Sequence, residues 1–499
     1  MSAPPLTGTA IPREALREKG QFWTPDWVAD AMAEYALGGG ADHVFDPAVG
    51  AGAFFRAARR VASVRGRRVA LLGMERYADV LQQAHAAGVD GAALRNVAIG
   101  DFALAPPARR YRAIIGNPPY IRHHRISAAD KAALARFSAA LLGRPLDGRA
   151  GLHVYFLLRA LTLLEPGGRL AFILPADTCE GVFAGALWQW IARGYRLDAA
   201  VTFEPAATPF PGVDTNALVV LIEHSAPAPR VRWVRCAERT MSLSRWIARG
   251  MQAAGAPGLT LVDRDLDEAL RTGLSRAPCD GMRDSVQLGA LARVVRGVAT
   301  GANEFFFLTA ARASALGLPG EFLSPAIGRT RDLDTGDVLE RKALARLDAA
   351  GRPTLLLAIP PLPAAGLPSA VRAYIAQGEA RRLHERPLIR TRRPWYRMER
   401  REPPPFLFAY LGRRNARFVR NAAGAVPLTG FLCVYPRHTD PRSLERLGRA
   451  LAHPTTLANL KLVGKSYGGG AIKVEPRALE RLPIPRALLG GLELPAATR

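Results

Sequence analysis

Only four cysteines occur in the 499 residues, Cys179, Cys236, Cys279 and Cys433, scattered and without C-x-x-C spacing. So few thiols argue against a disulfide framework or a structural zinc and fit a reducing compartment. No run approaches the roughly 20 uninterrupted apolar residues that a membrane span needs. The opening Met1–Thr7 lacks a basic stretch followed by an apolar core, which argues against export, so a cytoplasmic location is expected. Acid is also scarce: 43 Asp and Glu stand against 68 Lys and Arg, a formal net charge of +25. That excess attracts polyanions, nucleic acid first among them. Internal repeats, heptads and long low-complexity tracts are missing, which removes solenoid and coiled-coil architectures.

A hydrophobic share of 49% in a chain of 499 residues supports folded cores and more than one domain. In the first half, short apolar runs alternate with helical stretches. Val44–Phe45 leads into a glycine-rich turn, and the spacing predicts a helix over Phe54–Val64. Val69–Met74 reads as a strand ending at Glu75, followed by helical Ala78–Ala87. Further strands are expected at Ala98–Ile99, Tyr111–Ile115, Arg169–Leu174 and Ala217–Glu223. A long amphipathic helix is expected over Val154–Leu164, closed by Pro166-Gly167-Gly168. This alternation predicts an α/β fold around a mainly parallel sheet. The rhythm then breaks. The chain is divided into a catalytic domain over 1–240, a connecting region over 241–285 and an α+β domain over 286–499.

Asn117-Pro118-Pro119-Tyr120 directly follows the apolar run Ala113–Gly116. It therefore sits at the carboxyl edge of the sheet, where open α/β sheets bind ligands. Two prolines stiffen the chain and remove N–H donors. The Asn117 side-chain oxygen and the Pro118 carbonyl form a rigid acceptor pair able to grip both hydrogens of an amino group, with the flat ring of Tyr120 alongside. An amine on an aromatic ring is a poor nucleophile because its lone pair is delocalised. Two acceptors favour a pyramidal nitrogen, ready to attack an activated methyl with neither metal nor covalent enzyme intermediate. Upstream, Asp46-Pro47-Ala48-Val49-Gly50-Ala51-Gly52-Ala53-Phe54 is a turn whose glycines allow close backbone approach to a ligand. Its leading acid suits an ammonium-bearing amino acid better than a pyrophosphate. Glu75 can accept from two ribose hydroxyls, and Asp101 with Phe102 can read an adenine amine and stack on its ring.

With these motifs the first half resembles the gamma class of amino-methyltransferases, the group containing the TaqI and Eco57I adenine-N6 DNA methyltransferases. The resemblance runs motif by motif over 20–225 and more loosely to the C-terminus. Gln21-Phe22-Trp23-Thr24-Pro25 matches the family's N-terminal cofactor motif. The resemblance implies a Rossmann-like domain that binds S-adenosyl-L-methionine through Thr24, Pro25, Asp46, Pro47, Ala48 and Gly50. It assigns Gly52, Glu75, Asp101, Phe102, Asn117 and Pro119 to the same cofactor. Asn117, Pro118 and Tyr120 become the catalytic residues. Phe210 matches a later aromatic motif that contacts the target base, with Phe203 as its rival. The implied reaction is methyl transfer to the N6 amine of an adenine flipped out of double-stranded DNA, in a restriction–modification setting.

Arg293–Phe307 and Gly464–Pro485 resemble the target-recognition region of the same family, with Lys465, Ser466 and Tyr467 expected at DNA phosphates. Residues 379–420 hold 13 Arg and four Glu, interleaved with Trp395, Tyr396, Phe406, Phe408 and Tyr410. Such a mixture reads as a phosphate-contacting surface that includes Arg392 and Arg393. The rival reading is a methyltransferase of RNA or of a protein glutamine, whose amide poses the same nitrogen problem. Such an enzyme has no need of a long basic second half. Glu340-Arg341-Lys342, with Asp334 and Asp337 upstream, resembles a nuclease cluster only superficially. With 20 residues ahead of Gln21, no fused nuclease domain is expected, while a separately encoded partner endonuclease stays open.

Overall fold

Apolar runs at the expected positions become β1 His43–Asp46, β2 Ala70–Glu75, β3 Val97–Ile99, β4 Tyr111–Gly116, β5 Leu164–Pro175 and β7 Ala217–Glu223 of one nine-stranded sheet, which β6 Arg196–Phe203, β8 Arg230–Cys236 and β9 Leu259–Asp265 complete without having been expected. The computed structural model describes residues 23–211, 216–252, 256–276, 284–333, 336–409, 416–467 and 471–490. It divides into two units, Met1–Pro278 and Cys279–Arg499. In the first unit the strand order is β3-β2-β1-β4-β5-β7-β6-β8-β9. β1 to β5 run parallel, and β7 is inserted antiparallel between β5 and β6.

Both faces of this sheet are covered, and the period-two alternation of a strand shows it. Leu170, Phe172 and Leu174 of β5 join one core with helix Leu152–Thr162, whereas Ala171 and Ile173 join another with helices Asp26–Leu37 and Ala53–Val64. Ile114 of β4 faces the first core, and Ala113 and Ile115 face the second. A strand sandwiched in this way is apolar throughout, which is why it was visible as a run.

Two expectations are corrected. The helix expected over Val154–Leu164 ends at Thr162, and Pro166-Gly167-Gly168 lie inside β5, where the register against β4 shifts between Tyr111 and Ala113. A turn-like tripeptide was absorbed as an irregularity of a long strand. Residues 241–285 are not merely a connector. They contribute helix Ser242–Ala248, β9 and helix Leu266–Thr272, with β9 pairing antiparallel to β8 along its whole length. β9 reads Leu-Thr-Leu-Val-Asp-Arg-Asp, and as an edge strand it needs little apolar surface, so its sequence lacks the expected signature.

The second unit is α+β. A five-stranded sheet takes Ala292–Arg296, Phe431–Pro436, Phe406–Ala409, Arg417–Asn421 and Val338–Leu339 in that order, beside a four-stranded sheet. Helices Ser369–Ala380 and Pro441–Ala452 are among its longest. No described helix is long and apolar enough to cross a membrane.

Gly73 of β2 faces Asp46 of β1 in register. A Cβ there would lie 2.4 Å from Val49 Cγ2 and 2.9 Å from the Asp46 carbonyl oxygen. The loop after β1 folds back over this glycine, and the Val49 N–H donates to the Met74 carbonyl at 3.1 Å. Overpacking of this kind costs about 1–3 kcal/mol. Gly73→Ala is expected to lower the thermal midpoint, and adding Val49→Ala should recover part of the loss; calorimetry of the two variants checks this.

Candidate active site

Asp46, Glu75 and Gly116 are the last residues of β1, β2 and β4, and the strand order reverses between β1 and β4. Ligands bind at such a reversal. The loop leaving β1 turns through Gly50 and Gly52 at φ 53° and 73°, and Gly52 caps the N-terminus of helix Ala53–Val64. A side chain at Gly52 would collide with Val89, its Cβ 2.5 Å from Cγ2. The Gly50 N–H donates to Glu75 Oε2 at 2.9 Å, while Oε1 accepts from the Arg76 and Tyr77 N–H groups at 2.9 and 3.1 Å. Glu75 thus locks the loop to the end of β2. These bonds take three of a carboxylate's roughly four acceptor sites, and the one left on Oε2 can serve a ligand hydroxyl.

Asp46 is fully buried. Its Oδ1 accepts from the Ala48 N–H at 3.0 Å, and Oδ2 has no hydrogen-bond partner among the described residues. Burial pushes its pKa up to about 8, against the lowering effect of the Ala48 N–H and with added repulsion from Glu75. A buried carboxyl with one oxygen unsatisfied is costly unless a ligand completes it. These acceptors, one orphaned acid beside a glycine turn and a second acid on the next strand, fit a ligand with a cationic amine and a nearby hydroxyl.

Asp101 Oδ1 accepts from the Ala103 and Leu104 N–H groups at 3.0 and 3.3 Å, and Oδ2 pairs with Arg76 Nη1 at 3.0 Å. The Phe102 ring is 1% exposed, packed against Phe45 and Phe156 at 5.9 and 5.1 Å. Its side chain props the strand end from within the core and presents no open face for stacking. Exposed Tyr77, Ile99 and Leu104 are the apolar side chains at this edge, and sequence reading missed them because an exposed apolar residue looks like chance decoration.

Asn117 is oriented by Thr24, which is itself buried: Asn117 Nδ2 donates to Thr24 Oγ1 at 3.2 Å. Thr24, expected against the cofactor, has this second task, which sequence alone did not indicate. The carbonyl end of the amide is thereby turned away from Thr24. Pro119 accepts from the Ile121 N–H at 2.9 Å, and the Tyr120 hydroxyl donates to the Ile173 carbonyl of β5 at 3.2 Å. Burial drives the Tyr120 phenol far above its ordinary range. The Phe210 ring stands edge-on to Tyr120 at 6.4 Å. Its rival Phe203 packs edge-on against Trp27 at 5.7 Å. Pro25 starts helix Asp26–Leu37 as its N-cap residue, and Pro47 lies against Gly116, where a Cβ would come within 3.2 Å of its Cδ. Gln21 and Phe22 lie outside the described residues.

In the second unit, Lys465, Ser466 and Tyr467 form a strand paired antiparallel with Ala471–Lys473; their side chains lie outside the described residues. Arg392 Nη2 donates to the Ala299 and Thr300 carbonyls at 2.7 and 2.9 Å, and its guanidinium lies 5.6 Å from the Phe306 ring centre. It stitches the loop before Phe306 and is half-buried, unlike the exposed Arg393. Among the described residues no group of three metal-ligating side chains gathers.

Residues 279–493 match the family described as "Type II methyltransferase M.Eco57I, C-terminal domain", and residues 100–210 match "Eco57I restriction-modification methylase". The chain is 28% identical over 482 residues to the Type II methyltransferase M.XamI of Xanthomonas campestris pv. amaranthicola, which covers 93% of this chain and 85% of that protein. It is 23% identical over 479 residues to the Type II methyltransferase M.AccI of Acinetobacter calcoaceticus, covering 95% and 86%. Among solved structures it shares its fold with the Type IIL restriction-modification enzyme MmeI in complex with DNA, at a TM-score of 0.54 and 12% identity, covering 90% of this chain and 63% of that one.

The Asp46 carboxyl carries a consequence for stability. Its ordinary value of 3.8 applies to the unfolded chain, against about 8 when folded. Between these values folding takes up a proton, so its contribution to stability falls as pH rises from about 4 and levels off above about 8. Asp46→Asn is expected to stabilise the ligand-free protein by on the order of a few kcal/mol at pH 8. The gain should vanish towards pH 4, as thermal melts of both proteins across that range would record.

Proposed function

We propose that this chain, which belongs to the Eco57I-type restriction–modification methylases, transfers a methyl group from S-adenosylmethionine to the N6 amine of an adenine rotated out of duplex DNA. When bound, S-adenosylmethionine supplies an electrophilic sulfonium methyl. Asp46 Oδ2 would take its ammonium, Glu75 a ribose hydroxyl, and Asp101 its adenine amine. Asn117 Oδ1 and the Pro118 carbonyl would accept the two N6 hydrogens and hold the nitrogen pyramidal, its lone pair turned towards the methyl. Catalysis then rests on position and preorganised dipoles. Extruding the base costs about a few kcal/mol. Stacking on Tyr120, at roughly 1–3 kcal/mol per base, offsets part of that.

The observation that carries this reading is the amide of Asn117, pinned by Thr24 at the end of β4, next to the orphaned Asp46 at the end of β1. A glutamine amide or an RNA base would suit the same acceptors. The basic second unit and its match to the M.Eco57I C-terminal family favour DNA. A cognate endonuclease encoded separately would then find its sites blocked by the product.

Sequencing DNA from cells that express the chain should reveal N6-methyladenine in one short sequence context. Modification confined to cytosine, or to protein, would overturn the assignment. Asn117→Ala should lower turnover on the order of 100-fold or more while DNA binding persists. Tyr120→Ala should weaken base extrusion by roughly 1–3 kcal/mol, read from the fluorescence of 2-aminopurine at the target position.

A further inference from the structure

His153 is the second residue of helix Leu152–Thr162, whose N-cap is Gly151. Both of its ring nitrogens are buried, and neither has a hydrogen-bond partner among the described residues. The imidazole stands 5.9 Å from the Tyr120 ring centre at an interplanar angle of 70°. It is thus one ring-width from the surface on which the target base would stack.

The position is fixed from two sides. The Leu152 N–H donates to the Ile121 carbonyl at 3.0 Å, which ties the start of the helix to the residue after the Asn117–Tyr120 tetrapeptide. Gly151 makes room for the ring: a Cβ there would lie 2.6 Å from His153 Cε1 and 3.0 Å from the Ile121 carbonyl oxygen. Sequence alone places His153 in an apolar helix and gives no reason to single it out. Burial lowers its pKa to about 4, with Asp177 acting in the opposite direction. At neutral pH the ring is therefore uncharged, with one N–H donor and one bare nitrogen.

Core histidines normally satisfy both nitrogens. A buried imidazole left unpaired beside a substrate-binding ring lacks the partner that would repay its burial. We propose that His153 is a base-reading residue, its N–H donating to a ring nitrogen of the extruded adenine while Asn117 and Pro118 hold the exocyclic amine. This rests on the methyl-transfer reading above. It adds an in-plane contact that Tyr120 cannot supply, because stacking accepts any flat base whereas a donor demands a nitrogen at one position.

The test uses the full chain and synthetic duplexes carrying, at the mapped methylation position, adenine or its 1-deaza, 3-deaza or 7-deaza analogue. Transfer of labelled methyl from S-adenosylmethionine is the readout. The wild type should lose at least tenfold in kcat/KM on one analogue, and His153→Phe should lose that discrimination while methylating adenine more slowly. His153→Gln, which keeps a donor, should restore part of it. Ligand-free melting and cofactor affinity of His153→Phe should equal or exceed the wild type, whereas a ring with a purely structural role would lower both. Equal wild-type rates on all three analogues overturn the proposal even if neither variant folds. An unaltered discrimination pattern in His153→Phe overturns it as well. A wild type that methylates no adenine at all instead sinks the underlying reaction assignment.

Discussion

The pairing of β1 with β4 is the constraint on which the site depends. Phe45 stands opposite Ile114, so the next residues along the two strands emerge together at one edge. Asp46 ends the first strand and Gly116 the second, and Asn117 follows directly. The absence of a side chain at Gly116 lets Pro47 of the loop settle against the end of β4. The glycine turn after β1 and the Asn117–Tyr120 tetrapeptide after β4 are thus seated on adjacent hydrogen-bonded strands. Rigidity here comes from the backbone ladder, and the side chains need only complete it. A methyl transfer without a covalent intermediate, as proposed, would accordingly need few side-chain groups.

Charge in the second unit is deployed less simply than its excess suggests. Several arginines of the basic run are engaged inside the fold: Arg386 pairs with Glu304 at 2.7 Å, Arg400 donates to the Glu321 carbonyl at 2.9 Å, and Arg401 reaches both Glu399 and the Arg296 carbonyl. Guanidinium suits this work because one planar fork serves several carbonyls at once. A basic composition therefore measures two things together, structural stitching and surface field, and only the remainder faces a polyanion.

How much was legible in the sequence follows from how local each signal is. β4, β5 and β7 were visible because strands buried on both faces are largely apolar, β1, β2 and the edge strand β3 by short apolar runs, and the acids Asp46, Glu75 and Asp101 at or after strand ends stand out by contrast. Asn117-Pro118-Pro119-Tyr120 declared itself through the chemistry of two prolines. Phe102 did not: whether a ring after a strand end turns inward depends on Phe45 and Phe156, which lie far away in the chain. Thr24 as the orienter of Asn117 spans 93 residues and leaves no local trace. β9 was hidden because an edge strand may be charged, and Arg392 because its partners are backbone carbonyls, which every residue has.

The apolar clusters divide in the same way as the chain. Two are built from residues of the first unit, up to Leu274, and three from residues of the second, beginning at Val286. An apolar substitution inside a cluster of the latter half leaves the composition of both clusters flanking the nine-stranded sheet unchanged. Each half can thus be repacked one hydrophobic cluster at a time.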